Sequence, residues 1–476
     1  MNLEASMDSA SRFVAFVEEL TSVIGHADRA RPLRDYCSGL LVSEGRRSVE
    51  PIAAVTAPAE VSVQHQKLLH FVADAPWPDE PVLAKVSELV LPAIERHGPI
   101  EAWIIDDTSF PKHGSHSVGV HHQYCGQLGK QANCQVAVSL SIANHHASLP
   151  IAYRLYLPKE WVEDRARRKK AHVPEAVRFK TKPQIALEQL RAARQAGVPV
   201  GAVLMDAAFG NDARLRTGVS ELALSYVAGI QSNCLVWPPG TEPRRRGKPI
   251  NNTGRRDEPE LISAKKLALR LSKKAWRTIR WREGSADWLS SRFARVRVRA
   301  AHPYLLPELI MPEWLLIEWP EGEAAPTKYW LSTLPENVSF QKLVDLAKLR
   351  WRIERDYQEL KQEVGLGHFE GRGWLGFHHH ATMSIAAYGF LISERETIPP
   401  SGTRSAALFS LPPVPPSYRP RGSAMRPKRH IPNSIATMRR QLIVAVARSL
   451  SRCPCCDGQK SPTTRGKLEP PLFVTQ

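Results

Sequence analysis

Apolar side chains recur every three or four positions through the first hundred residues. RFVAFVEELTSVIG, LRDYCSGLLV and QHQKLLHFVADA each carry this spacing, which predicts amphipathic helices. From Ile100 the period shortens. AWIID, CQVAVSLSIAN and LPIAYRLYLP read as strands, the last two joined through the turn NHHAS as a hairpin. A loop rich in Lys, His and Gly separates the first strand from the second. The basic connector WVEDRARRKKAHVP leads into a helix, PQIALEQLRAARQAG, which Gly197 ends as a C-cap. The strand VPVGAVLMD, a short helix near NDARLRTG and the strand ALSYVAGI follow.

The resulting order is strand, strand, strand, helix, strand, helix, strand. Three antiparallel strands followed by parallel additions predict a mixed α/β sheet flanked by helices, the strand order of an RNase H-like core. This core is expected over residues 96–235 and again over 336–396, behind an N-terminal helical, DNA-binding domain at 1–95. Arg29, Arg31, Arg34, Arg46 and Arg47 sit at the ends or on the polar faces of its helices, a pattern for DNA contact or for a solvated helical surface, and no helix-turn-helix signature is clean. Residues 236–335 interrupt the core. PPGTEPRRRGKPINNTGRRDEP is a loop by composition, and AWRTIRWREG, RFARVRVRAA, EWLLIEWP and KYWLSTLP predict a β-rich insert forming a separate lobe. Helix resumes from about Phe340 to Val364 and from about His380 to Arg395. Residues 397–476 read as a Pro-rich linker and a helical tail, with NSIATMRRQLIVAVARSL as the last amphipathic helix.

Charge narrows the choice of partner. Across 476 residues, 65 Lys and Arg face 47 Asp and Glu, a net charge of +18. Such an excess suits a polyanion. No apolar run reaches the ~18–20 residues of a membrane span, and the start MNLEASMDSASRF lacks a signal-peptide pattern. Nucleic acid is therefore the expected partner, with no membrane. The seven cysteines are odd in number, and Cys37, Cys125, Cys134 and Cys234 are scattered singly. That predicts a reducing, cytoplasmic setting without a disulfide framework.

Three carboxylates carry the candidate chemistry. Asp107 closes the apolar run AWIIDD, Asp206 closes VPVGAVLMD, and Glu354 lies within the helical stretch LAKLRWRIERDYQELKQEVG. Two strand ends and a helix presenting carboxylates suit a pair of hard divalent cations, the arrangement that cleaves phosphodiesters. On a helical wheel Arg350, Glu354 and Lys361 fall within about 40° of one another, beside an apolar stripe that anchors the helix. The plainer reading of each is local: i, i+4 pairing along the helix, and Asx-turns at the aspartates. Alternation along the strand is expected to turn Asp106 to the opposite face and make it dispensable. His368, Glu370 and Arg372, in GHFEGRG, are expected to border the site. His378, His379 and His380 are consecutive on a helix and so are expected to pack or to contact phosphate rather than to ligate a metal. Cys453, Cys455 and Cys456 lack the second pair of a zinc finger. In the insert, Lys265, Lys266, Lys273, Lys274, Arg277, Arg280 and Arg282 interleave with Trp276 and Trp281, a pattern for gripping unpaired DNA or for a solvated face.

With these residues in place, the chain resembles the DDE transposases of bacterial insertion sequences, in the branch that carries a β-rich insert inside an RNase H-like domain. The likeness rests on DDTSFPKHG, on the strand ending in MDAAFGN, and on the spacing of Arg350, Glu354 and Lys361. The family tyrosine position before them holds Ala347. The gaps agree: 206 − 107 is 99 residues and 354 − 206 is 148. The likeness runs from about Ile100 to Glu394, and RRSVEPIAA and QHQKLLHFVADAPW also resemble the N-terminal region of such proteins. It implies that Asp107, Asp206 and Glu354 hold two Mg²⁺ ions, for which Mn²⁺ substitutes, and that Arg350, Lys361 and Arg372 hold DNA phosphates. It further implies terminal inverted repeats and target DNA as partners, a homodimer bridging two ends, and a nucleoid-associated cytoplasmic protein. A DNA-binding remnant that no longer cuts, and a stand-alone RNase H-like nuclease, are the alternatives.

Overall fold

The computed structural model describes residues 8–241, 261–283, 288–302, 310–397 and 434–457. Five helices come first: α1 (Ser9–Thr21), α2 (Ala30–Val42), α3 (Val49–Thr56), α4 (Val61–Leu69) and α5 (Asp79–Glu95). Four strands follow, β1 (Ala102–Pro111), β2 (His121–Cys125), β3 (Lys130–Ala143) and β4 (Ser148–Leu155). After the short helices α6 (Lys159–Glu163) and α7 (Arg165–Lys170) comes α8 (Lys182–Gln195), then β5 (Ala202–Met205), α9 (Ala207–Gly210), α10 (Ala213–Glu221) and β6 (Tyr226–Ile230). The predicted mixed α/β order is present, with one strand more than expected. HHQYC forms β2, and β3 starts at Lys130 rather than Cys134. Both segments are polar and largely exposed at the sheet edge, so no apolar alternation marks them.

The insert contributes β7 (Leu235–Trp237), β8 (Ile262–Ser263), α11 (Ala264–Arg270), β9 (Arg277–Glu283), β10 (Trp288–Ala300), β11 (Glu313–Trp319) and β12 (Lys328–Ser332). These strands do not leave as a separate lobe. β12 pairs antiparallel with β6, Leu331 opposite Ala228, and the sheet runs on through twelve strands in the order β2-β3-β1-β5-β6-β12-β11-β10-β7-β8. β4 adds to β3 and β9 to β10. The open edge of β6 presents backbone donors and acceptors that a neighbouring strand satisfies, and β12 fills it.

The last helices are α12 (Phe340–Leu349), α13 (Trp351–Glu363), α14 (Trp374–Thr397), α15 (Ile435–Ala447) and α16 (Pro454–Asp457). The stretch expected as one helix from about Phe340 to Val364 is two, meeting at Arg350. The Pro-rich stretch expected at 397–429 lies almost wholly outside the described residues. Helix α14 is buried nearly all round, which removes the amphipathic period and explains why its start was placed late.

The N-terminal helices are not set apart from the core either. The Phe13 ring meets Phe390 of α14 edge-on at 5.1 Å, and the Arg12 guanidinium pairs with the Glu394 carboxylate at 2.7 Å. Their buried side chains belong to the same hydrophobic cluster as the sheet. Of the arginines named there, Arg47 is buried, while Arg31, Arg34 and Arg46 stay exposed at the surface. Arg47 donates to the Leu40 and Gln362 carbonyls, Arg34 pairs with Glu18, and Arg46 pairs with Glu370. The consecutive histidines pack, as expected. His380 Nε2 lies 2.9 Å from the Gly365 carbonyl and its Nδ1 2.8 Å from the Tyr36 hydroxyl. His379 lies between the Val72 and Trp77 carbonyls. Among the described residues, no helix is long and apolar enough to cross a membrane.

Candidate active site

Strand β1 carries two adjacent carboxylates midway along its length, not at its end as the apolar run suggested, and the pleat sends them to opposite faces of the sheet. The parallel register of β1 with β5 pairs Ala102 with Ala202 and Ile104 with Leu204. The ladder stops there: Asp106 lies two residues further along β1, and Asp206 follows the last residue of β5, near enough for its charge to act on Asp106. Asp107 points the other way.

Asp206 caps α9. Its Oδ1 accepts from the Ala208 amide at 2.9 Å and the Phe209 amide at 3.2 Å, which fixes the carboxyl where β5 turns into helix. Gly229 of β6 packs directly beneath: a Cβ there would stand 3.0 Å from the Ala207 nitrogen. A side chain there would crowd the turn that presents Asp206.

Helix α13 lies across the face that carries Asp106. The Tyr357 and Ser139 hydroxyls share a hydrogen bond of 2.5 Å, and Ser139 is the cross-strand partner of Asp106. Arg350, at the joint between α12 and α13, donates through Nη1 to Asp106 Oδ2 at 2.8 Å and through Nη2 to Glu354. One guanidinium therefore bridges a strand carboxylate and a helix carboxylate. Burial pushes the Asp106 carboxyl up to about 7; Arg350 opposes the shift, and the charges of Asp206 and Asp107 add to it. Glu354 is 63% exposed, so its carboxylate is open to solvent and to substrate.

On the far face, Asp107 Oδ2 accepts from Lys182 Nζ at 2.7 Å. Lys182 opens α8, whose first turn is fixed by the Thr181–Gln184 capping box. Lys361, further along α13, donates to the Ser109 carbonyl at 2.9 Å and to Gln127 Oε1 at 3.2 Å, above the Phe110 ring. Burial pushes its amine down to about 8. Arg372 is exposed on the link between α13 and α14, where its carbonyl accepts from the Val118 amide.

Arg350, expected on a phosphate-binding rim, links Asp106 to Glu354, while Asp107 pairs with Lys182. EAWIID and GAVLMD align residue for residue one hundred apart, matching Asp106 to Asp206. Lys182 was not foreseen, and nothing in its local sequence marks it. Among the described residues, no three acidic, histidine or cysteine side chains form a tight metal cage. The cations Arg350 and Lys182 instead neutralise the strand carboxylates.

A family model described as DDE superfamily endonuclease matches residues 19–287, more than half of the chain and both strand-borne aspartate positions. The chain belongs to this family. Membership agrees with the mixed sheet described above, which is the RNase H-like fold of DDE endonucleases. The matched region stops before α13, so the Glu354 helix is placed by the fold alone. The chain is also similar to a probable transposase for insertion sequence element IS701 from Microchaete diplosiphon, 30% identical over 172 residues. That segment is 36% of this chain and 42% of the relative, so the likeness spans less than half of the relative's length.

Proposed function

We propose that this DDE endonuclease-family chain is a transposase that cuts and joins the ends of a bacterial insertion sequence, with Asp106, Asp206 and Glu354 as its site carboxylates. One observation carries the choice of residues. Asp106 lies near enough to Asp206, at the end of the neighbouring parallel strand, for that charge to act on it, and Arg350 links Asp106 to a solvent-open glutamate on α13. The similarity to a probable insertion-sequence transposase extends the reading to element ends. The basic chain suits DNA as the substrate, and a dimer bridging two ends belongs to the same reading.

The donor set fits a hard divalent cation such as Mg²⁺ or Mn²⁺, because all three groups offer only oxygen. A buried Asp106 carboxyl beside two like charges is also a group that a cation stabilises. Bound to Asp106, Asp206 and Glu354, such ions supply activation of an oxygen nucleophile and charge stabilisation at the departing oxygen. The protein's own groups do the rest. Arg350 holds the carboxylates in register before substrate arrives, and once released from them it faces the phosphate. Lys361 brings a second cation to the same edge, and exposed Arg372 a third. Ser139 and Tyr357 fasten α13 to the sheet, and Lys182 keeps the Asp107 charge satisfied on the far face.

The test uses DNA carrying the genomic sequence that flanks this reading frame, with Mg²⁺ or Mn²⁺ present. Asp106→Asn, Asp206→Asn and Glu354→Gln should each lose cleavage and keep binding, since the basic surface is untouched. Full cleavage by any of the three removes that residue from the site.

A further inference from the structure

The β2–β3 hairpin holds an aromatic ring in solvent on the same sheet face as the site. Asp106 pairs with Ser139 across β1 and β3, so alternation places Gln131 and Asn133 of β3 on that face as well. The register of the hairpin sets Tyr124 opposite Gln131 and His122 opposite Asn133, which brings Tyr124 and His122 onto it too. Tyr124 is 60% exposed, and Leu128 at the tip is 46% exposed.

The turn end of the hairpin is tied to the site elements. The Gln127 amide donates to Ser109 Oγ of β1 at 3.0 Å, and Gln127 Oε1 accepts from Lys361 of α13. Cys125 is buried against the same Ser109 hydroxyl, and the Asn133 amide donates to the Lys112 and Gly114 carbonyls. The tip is therefore held at a fixed offset from the strand and helix that carry the carboxylates.

Charge indicates what meets it. No aspartate or glutamate occurs between Asp107 and Glu160, while Lys112, Lys130 and Arg154 lie in that span. In space, Lys130 stands on the hairpin itself, Lys361 donates to Gln127 of its turn and the Lys112 backbone meets Asn133, while Glu160 lies 3.7 Å from His121. An exposed aromatic side chain beside such cations matches the combination that binds single strands, in which cations track the backbone and a ring stacks a base.

We propose that the hairpin takes an unpaired base of the DNA strand crossing the site, stacked on Tyr124, with Leu128 set against the last base pair. The inference rests on the transposase reading for its substrate and adds a contact outside the carboxylate site. Because the contact is with unpaired DNA of any sequence, the test needs no element end.

Full-length protein is titrated, in chelator, into a fluorescent flush-ended duplex and into the same duplex carrying a short unpaired tail. The wild type should prefer the tailed probe by roughly tenfold. Tyr124→Ala should lose that preference and keep its affinity for the flush duplex, and Tyr124→Trp should retain the preference. A preference surviving Tyr124→Ala, or a wild type that binds both probes equally, overturns the inference and leaves the DNA reading standing. Binding of neither probe at low salt defeats the DNA reading itself. If Tyr124→Ala changes the oligomeric state by light scattering but not the probe preference, the hairpin is an edge between copies and the inference is wrong.

Discussion

Arg350 compensates two carboxylates at once, and its removal should expose how far they depend on it. Asp106 is largely buried beneath the guanidinium, so Arg350→Ala leaves its carboxyl unpaired in a desolvated position, where it bears an uncompensated charge or takes up a proton. The expected loss is about 3 kcal/mol in urea unfolding without divalent ions. Asp106→Asn should recover much of that in the double variant, because no buried charge is left to compensate. Additive losses in this double-mutant cycle would show that the pair does not couple. Lys361 gives a pH-dependent residue-scale test. With its amine near 8, the charge is present at neutral pH and is lost as pH rises through 8. DNA affinity should therefore weaken between roughly pH 7 and 9, and Lys361→Arg, which keeps its charge, should flatten that dependence. A slope equally steep in the arginine variant would place the titration elsewhere.

At the scale of elements, α14 is the spine that joins the N-terminal helices to the sheet, and its histidines set an acid limit on that packing. Burial pushes His379 and His380 from 6.5 down to about 4. Both remain neutral in the fold while the unfolded chain takes up protons below 6.5. Stability is thus complete above 6.5 and falls as pH drops from there toward 4, by roughly 3 kcal/mol for each histidine once both states are protonated. Thermal melting followed from neutral to mildly acid pH should show this decline, and His380→Gln should make it shallower. A melting temperature that does not change over that interval would contradict the assignment. Elements with a one-sided environment were legible in the sequence: α8, β5 and the amphipathic N-terminal helices follow from apolar spacing and caps. Helix α14 was not, because burial on every side erases its period. Nor was β2, whose polar residues lie on an exposed edge. The joint at Arg350 was hidden too, since the apolar stripe continues through it and only the pull of two carboxylates marks the residue.

For the whole molecule, the sequence suggested separable units and the structure has one continuous sheet. A change of composition near residue 236 marks an insert, but it does not say whether the inserted strands pair with the core. The β6–β12 ladder does pair them, and helices α1 to α5 share the same buried cluster. Unfolding should therefore report the insert and the core together, with Trp fluorescence and helical circular dichroism changing in one transition. Two resolved transitions would restore an independent lobe. The place of Asp206 directly after β5 and of Glu354 on a helix was legible from pattern, whereas Asp106 and Asp107 lie midway along β1, which runs on to Pro111 beyond the apolar run. Which aspartate of the pair faces the site was not legible, because that depends on a strand register between segments one hundred residues apart. The most direct measurement of the account is cleavage of end-containing DNA by Asp106→Asn and Asp107→Asn, compared side by side with Mg²⁺. The account predicts a loss of roughly a thousandfold or more for Asp106→Asn, as expected when a ligand of the reacting site is removed, and substantial activity for Asp107→Asn. The reverse result, with Asp106→Asn active and Asp107→Asn dead, would contradict it.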